Sequence, residues 1–88
     1  MYFISGFYKF KKISNIEKNK KIIQAYFIKK DIRGSIIISK EGINGTISAK
    51  RKILDVTINK IKKTFKFGSF DSINSAVCMY QPFHRGKV

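Results

Sequence analysis

The residues best equipped for chemistry sit in one stretch, Lys40-Glu41-Gly42-Ile43-Asn44-Gly45-Thr46. A glycine-rich backbone beside a lysine can turn its N–H groups toward a phosphate or a partner domain. The same residues also suit a structural turn, because Gly42 and Gly45 permit unusual φ and Asn44 tolerates the left-handed region. Glu41 is an acid in a basic neighbourhood. It can pair at the surface with Lys40 or Arg33, which contributes little, or dock on another domain. Cys78 is the one cysteine, so an internal disulfide and a cysteine-based zinc site are excluded. His84 is the one histidine and has no acid near it in sequence; it reads as a surface or packing residue. No residue is assigned a catalytic or metal-ligating role.

Charge is the other chemical signal. The chain has 19 Lys and Arg against 5 Asp and Glu, a formal net charge of +14. On a small domain this sets up a field that favours polyanions. Most of the cations are Lys, and Ile and Asn are also plentiful, which AT-rich codons alone would produce. Contact with nucleic-acid phosphate is the preferred reading, with Lys52, Lys60 and Lys63 as the first candidates. Lys11, Lys12 and Lys40 come next, then Arg85 near the end of the chain, with Lys87 beside it.

The elements that must carry these residues can be read from pattern. Eighty-eight residues make one domain, 1–88. Residues 2–10, rich in Phe, Tyr and Ile, form a first strand. After Lys11-Lys12-Ile13, Ser14-Asn15-Ile16-Glu17 fits a capping box with Ser14 as the cap. The helix that follows places Ile22, Ile23, Tyr26 and Phe27 on one face and ends over Asp31–Gly34. Ser35–Ser39 is a buried strand, Asn44-Gly45 a tight-turn signal, and Thr46–Ser48 a third strand. A second helix spans about 50–65, with Leu54, Ile58, Ile61 and Phe65 on its buried stripe. Phe67–Asp71 is a loop, and Ile73–Gln81 a last strand closed by Pro82. The order βαββαβ predicts an α+β, ferredoxin-like sandwich: a four-stranded antiparallel sheet with two helices on one face.

The run Ile36-Ile37-Ile38-Ser39-Lys40-Glu41-Gly42-Ile43-Asn44-Gly45-Thr46-Ile47 resembles the hallmark of the rhodanese-related tRNA uridine hydroxylases. Tyr8-Lys9-Phe10, Gly34 and Pro82-Phe83-His84-Arg85-Gly86-Lys87-Val88 resemble further segments of that family. The resemblance covers essentially all of the chain. It implies an acylphosphatase-like N-terminal domain that precedes a catalytic rhodanese domain absent here. Family members use molecular oxygen to hydroxylate C5 of the wobble uridine of tRNA. The family's essential cysteine belongs to the rhodanese domain, and Cys78 matches no rhodanese loop; it reads as a small buried hydrophobe. The resemblance implies tRNA and the rhodanese domain as partners, no cofactor on this chain, and oxygen as co-substrate of the whole enzyme. The alternative is a structural module that packs against the rhodanese domain, its charge incidental.

Other readings of the same fold fare worse. Acylphosphatase chemistry needs a phosphate-cradling loop with an Arg after the first strand, and Phe10-Lys11-Lys12-Ile13-Ser14-Asn15 has neither. RNA-recognition motifs carry stacking aromatics on their third strand, and Thr46-Ile47-Ser48-Ala49 has none. No apolar run approaches the roughly 18 residues of a membrane helix. The N-terminus shows no signal-peptide pattern. A cytoplasmic monomer without membrane contact is expected.

Overall fold

Period-two burial builds the first strand. Ser5 and Phe7 are buried while Tyr8 and Phe10, pointing the other way, are exposed. In the computed structural model, which describes residues 1–83 and 86–88, this strand is β1 (Tyr2–Phe10). It is followed by α1 (Ile16–Lys30), β2 (Arg33–Ser39), β3 (Gly42–Ala49), α2 (Arg51–Phe65), β4 (Ser72–Cys78) and β5 (Gly86–Lys87). The sheet order is β4-β1-β3-β2-β5. The first four strands pair antiparallel, as expected. β5 adds a short parallel strand beside β2, with Gly34 opposite Gly86. Two residues carry no periodic signal, so no pattern announced it. β4 stops at Cys78 rather than Gln81, because the chain must leave one edge of the sheet to reach the other. Arg33 helps to hold that crossing by donating from Nη1 to the Phe83 carbonyl.

Helix stripes close the core. On α2, Leu54, Ile61 and Phe65 are buried, as the spacing predicts, and Ile58 packs partly against them. On α1, Ile23 and Phe27 are buried, but Ile22 is 37% exposed. Ile22 lies about 100° round the helix from Ile23, and a single layer of sheet and helix covers a narrower stripe than its run of apolar residues suggests. Ile36, Ile43 and Ile47 complete the centre from the strands, with Ile32 just before β2. Fully burying one such side chain stabilises the fold by about 1.5–3 kcal/mol.

The entry to α1 departs from the capping box. The helix starts at Ile16, and Asn15, in the left-handed region at φ 53°, precedes it without a side-chain cap. Ser14 supplies its carbonyl to the Asn19 side-chain amide at 3.2 Å instead. The cause lies one residue earlier. Ile13 is buried, and its N–H donates to the Lys40 carbonyl at 3.1 Å, which delays the turn into the helix. At the far edge of the sheet β4 stands uncovered, with Ile73 49% and Val77 55% exposed. Residues 67–84 contain no Lys or Arg.

Candidate nucleic-acid interface

The glycine-rich stretch is a hairpin, but its turn is not at Asn44-Gly45. Ser39 lies opposite Gly42, so Lys40 and Glu41 form the turn and Asn44-Gly45 lie within β3. Neither Asn44 nor Gly45 has a positive φ. Gly45 is needed for close approach: a Cβ there would stand 2.6 Å from the Ser35 carbonyl oxygen. At Gly42, with φ +154°, a Cβ would collide with the Lys9 carbonyl. The turn is clasped from the segment that follows β1, since Lys11 N–H donates to the Glu41 carbonyl at 3.0 Å and Ile13 N–H to that of Lys40. The Glu41 N–H donates to Ser39 Oγ at 3.3 Å. Much of the turn backbone is thus engaged within the fold. Arg33 pairs with Asp31 at 3.2 Å rather than with Glu41, and among the described residues Glu41 enters no ion pair. Asn44 and Thr46 are exposed on the face of the sheet away from the helices.

The lysines divide. A groove of about 390 Å³ opens between the start of α1 and the end of α2. Lys11, Lys12, Lys18, Lys60 and Lys66 line it, and among the described residues no acid does. Lys40 and Lys12 line an adjoining depression, which Glu17 shares. Three of the sequence candidates, Lys11, Lys12 and Lys60, therefore meet in the groove, and Lys40 stands next to it. Lys52 and Lys63 do not join them; both are exposed on the outer side of α2. Lys60 leans toward α1, its Nζ 5.9 Å from the centre of the Tyr26 ring. Arg85 and His84 lie outside the described residues. Lys18 and Lys66, which pattern did not single out, are brought in by the fold. Lys11 Nζ also donates to the Lys66 carbonyl, satisfying the end of α2. The first-turn N–H groups of α1, with no side-chain cap, add positive partial charge at the same place. Among the described residues, most other basic side chains lie on the helices and their ends, while Lys9 on β1 and Arg33 on β2 each pair with an aspartate. Cys78 is half-buried at the end of β4, less enclosed than its apolar character suggests.

Asp71 fixes the strand end from which Lys11 and Lys12 emerge. Its Oδ2 accepts the Phe10 N–H at 2.6 Å, and its Oδ1 lies 3.4 Å from Lys9 Nζ. The Phe10 N–H above all holds its carboxyl below the ordinary aspartate pKa; burial opposes this, and Lys9 adds to the lowering. A carboxylate with a lowered folded pKa stabilises the fold above its unfolded pKa and loses that effect as pH falls through the folded value. Asp71→Asn is therefore expected to lower the urea midpoint at pH 7, with the gap to the parent closing toward pH 3. A gap that is constant with pH would show that the ionised form contributes nothing.

Among the described residues no helix is long and apolar enough to cross a membrane, and no three His, Cys, Asp or Glu side chains group as metal ligands. Comparison with known proteins adds the following. The family model described as the UPF0176 acylphosphatase like domain matches residues 2–88. The tRNA uridine(34) hydroxylase of Pelagibacter ubique (strain HTCC1062) is 53% identical over 88 residues, 100% of this chain and 29% of that protein. The tRNA uridine(34) hydroxylase of Ehrlichia ruminantium (strain Welgevonden) is 31% identical, covering 96% of this chain and 27% of that protein. The chain thus spans less than a third of the length of these relatives. Among solved structures, Bacillus subtilis acylphosphatase superposes with a TM-score of 0.67 at 11% identity, covering 100% of this chain and 98% of that one. Full-length HypF in its phosphate- and nucleotide-bound form gives 0.69 at 12% identity, covering 99% of this chain and 12% of that one. At such identities the likeness shows the fold alone, an acylphosphatase-like ferredoxin fold.

Proposed function

The chain belongs to the UPF0176 acylphosphatase-like domain family, and from that membership we propose that it positions tRNA for a uridine(34) hydroxylase. The observation that carries the reading is the groove lined by five lysines and, among its described residues, no carboxylate. Lys and Arg on phosphate supply affinity and orientation without reading sequence. The reaction itself belongs to the rest of the enzyme: a rhodanese domain with its cysteine, and molecular oxygen as co-substrate. This chain holds no cofactor and performs no turnover, and it acts as a monomer in the cytoplasm.

A second reading has its own support. Many cations lie outside the groove, on the outer faces of both helices, as an incidental charge would place them. On that reading the chain is a structural module packed against the rhodanese domain. Binding separates the two. If the groove seats four or five phosphates, tRNA affinity falls about a hundredfold between 50 and 200 mM salt. Anisotropy of labelled tRNA across that range measures it. No binding at 50 mM salt would leave the structural module.

A further inference from the structure

A sheet with one face under helices normally shows polar side chains on the other. Ser35, Ser39, Asn44 and Thr46 obey that rule here, but several apolar residues break it, and three of them are largely exposed. Tyr8, Phe10 and Ile37 stand on the outer face at 41%, 74% and 62% exposure. Tyr8 and Phe10 are two apart on β1, their ring centres 5.3 Å apart and tilted by 61°. Strand register sets Tyr8 opposite Asn44 and Phe10 opposite Gly42. A shallow depression of about 440 Å³ lies here, with Tyr8, Phe10, Glu41, Gly42 and Asn44 in its lining. Gly42, which has no side chain, leaves space between the rings and the turn. The aromatics and the glycine-rich stretch thus make one surface. Lys11 and Lys12 follow Phe10 directly, and Lys40 precedes Glu41.

The geometry points to a binding site for one or two unpaired nucleobases of an RNA. A base is flat and apolar on its faces and carries donors and acceptors at its edge. Tyr8 and Phe10 offer π-faces, which stack on bases with little sequence preference. The Asn44 amide can donate and accept, and the Glu41 carboxylate can accept from an exocyclic amine or a ring N–H. Lys11, Lys12 and Lys40, which adjoin Phe10 and Glu41 in sequence, line the groove and the depression beside it, so one RNA strand passing round this end of the sheet would meet lysines and aromatics in turn. A duplex cannot use the face, because its bases are already stacked and paired. The stacking side chains stand on β1, whereas RNA-recognition motifs also use their third strand. The inference rests on the tRNA reading and adds the part of the RNA that this face contacts.

The test compares two labelled RNAs with equal numbers of phosphates, a stem–loop with unpaired uridines and a perfect duplex. Both are titrated with the 88-residue chain and with Phe10→Leu, Tyr8→Leu and the double variant. Leucine keeps apolar volume and removes the π-face. The parent should prefer the stem–loop by about tenfold or more, the effect of a single base stack. The double variant should bring the stem–loop down to the duplex, with duplex affinity and salt slope unchanged. Abasic sites in the loop should do the same to the parent. A double variant that binds the stem–loop as the parent does would overturn the base site, and a face that docks another protein domain would give that result. Parity of the two RNAs with a steep salt slope would also overturn the base site but leave the tRNA reading standing. No binding of either RNA would remove both.

Discussion

Gly34→Ala is expected to destabilise the chain by about 2–6 kcal/mol. Gly34 has φ +113°, a region that L side chains rarely adopt. A Cβ at this position would run into the Thr46 carbonyl oxygen and lie 2.8 Å from Ile47 Cα. These are backbone atoms of the neighbouring strand, so no rotamer change relieves the contact. The forced φ costs about 1–3 kcal/mol, and overpacking against the fixed strand about 1–3 kcal/mol more. A domain of this size has about 4–13 kcal/mol in total, so the variant should lose much of its native population on mild warming. Gly68→Ala is the matched control, since nothing lies within 4 Å of a Cβ there. It should stay within about 0.5 kcal/mol of the parent. Urea midpoints of both variants decide the matter, and a Gly34→Ala midpoint equal to the control would show that β2 and β3 are free to separate.

Removing the groove's charge should have the largest effect on binding. Lys12, Lys18, Lys60 and Lys66 replaced together by Gln should lower tRNA affinity about a hundredfold or more at 50 mM salt, and the salt slope by about 3. Lys11 is left in place because it also satisfies the end of α2. The control replaces Lys20, Lys21, Lys29 and Lys30, which carry the same charge on α1 outside the groove. If position matters, the control loses about tenfold or less. If total charge alone matters, the two sets lose equally, and the groove has no special part. Stability should hardly change in either set, since such charges contribute little to folding.

How far the sequence could be read depended on the range over which each signal acts. The α2 stripe was legible because Leu54, Ile61 and Phe65 repeat with the helical period inside one element. The βαββαβ order followed from such local patterns, and so did the family, from a contiguous run of residues. The groove was not legible. Lys11 and Lys66 are 55 positions apart, and only the packed helices bring them together. Lys52 and Lys63 had the right charge and a solvent-facing position, but nothing in spacing along one helix says where its neighbour begins. The hairpin shows a different obstacle. Asn44-Gly45 looks like a turn because glycine often supplies positive φ, yet Gly45 serves close approach between strands. Sequence alone does not separate those two uses. Tyr8 and Phe10 were read as strand residues, but that they face away from the helices emerged only with the buried partners Ser5 and Phe7.

The bare flank at β4 bears on how the chain behaves as a colloid. An uncovered strand invites pairing with a second molecule, and proteins commonly guard such edges with lysines. Here the strand and its surroundings, residues 67–84, have no Lys or Arg, and Ile73 and Val77, on the same face as Phe7 and Phe3, are left about half exposed at the edge. Opposing such pairing is the mutual repulsion of whole particles, each carrying +14. That protection reaches about 10 Å at 0.1 M salt and about 3 Å at 1 M. Brine would weaken that repulsion at the edge, and a polyanion seated on the lysines would weaken it too. The charge proposed to draw in one kind of partner would thus also hold copies of the chain apart.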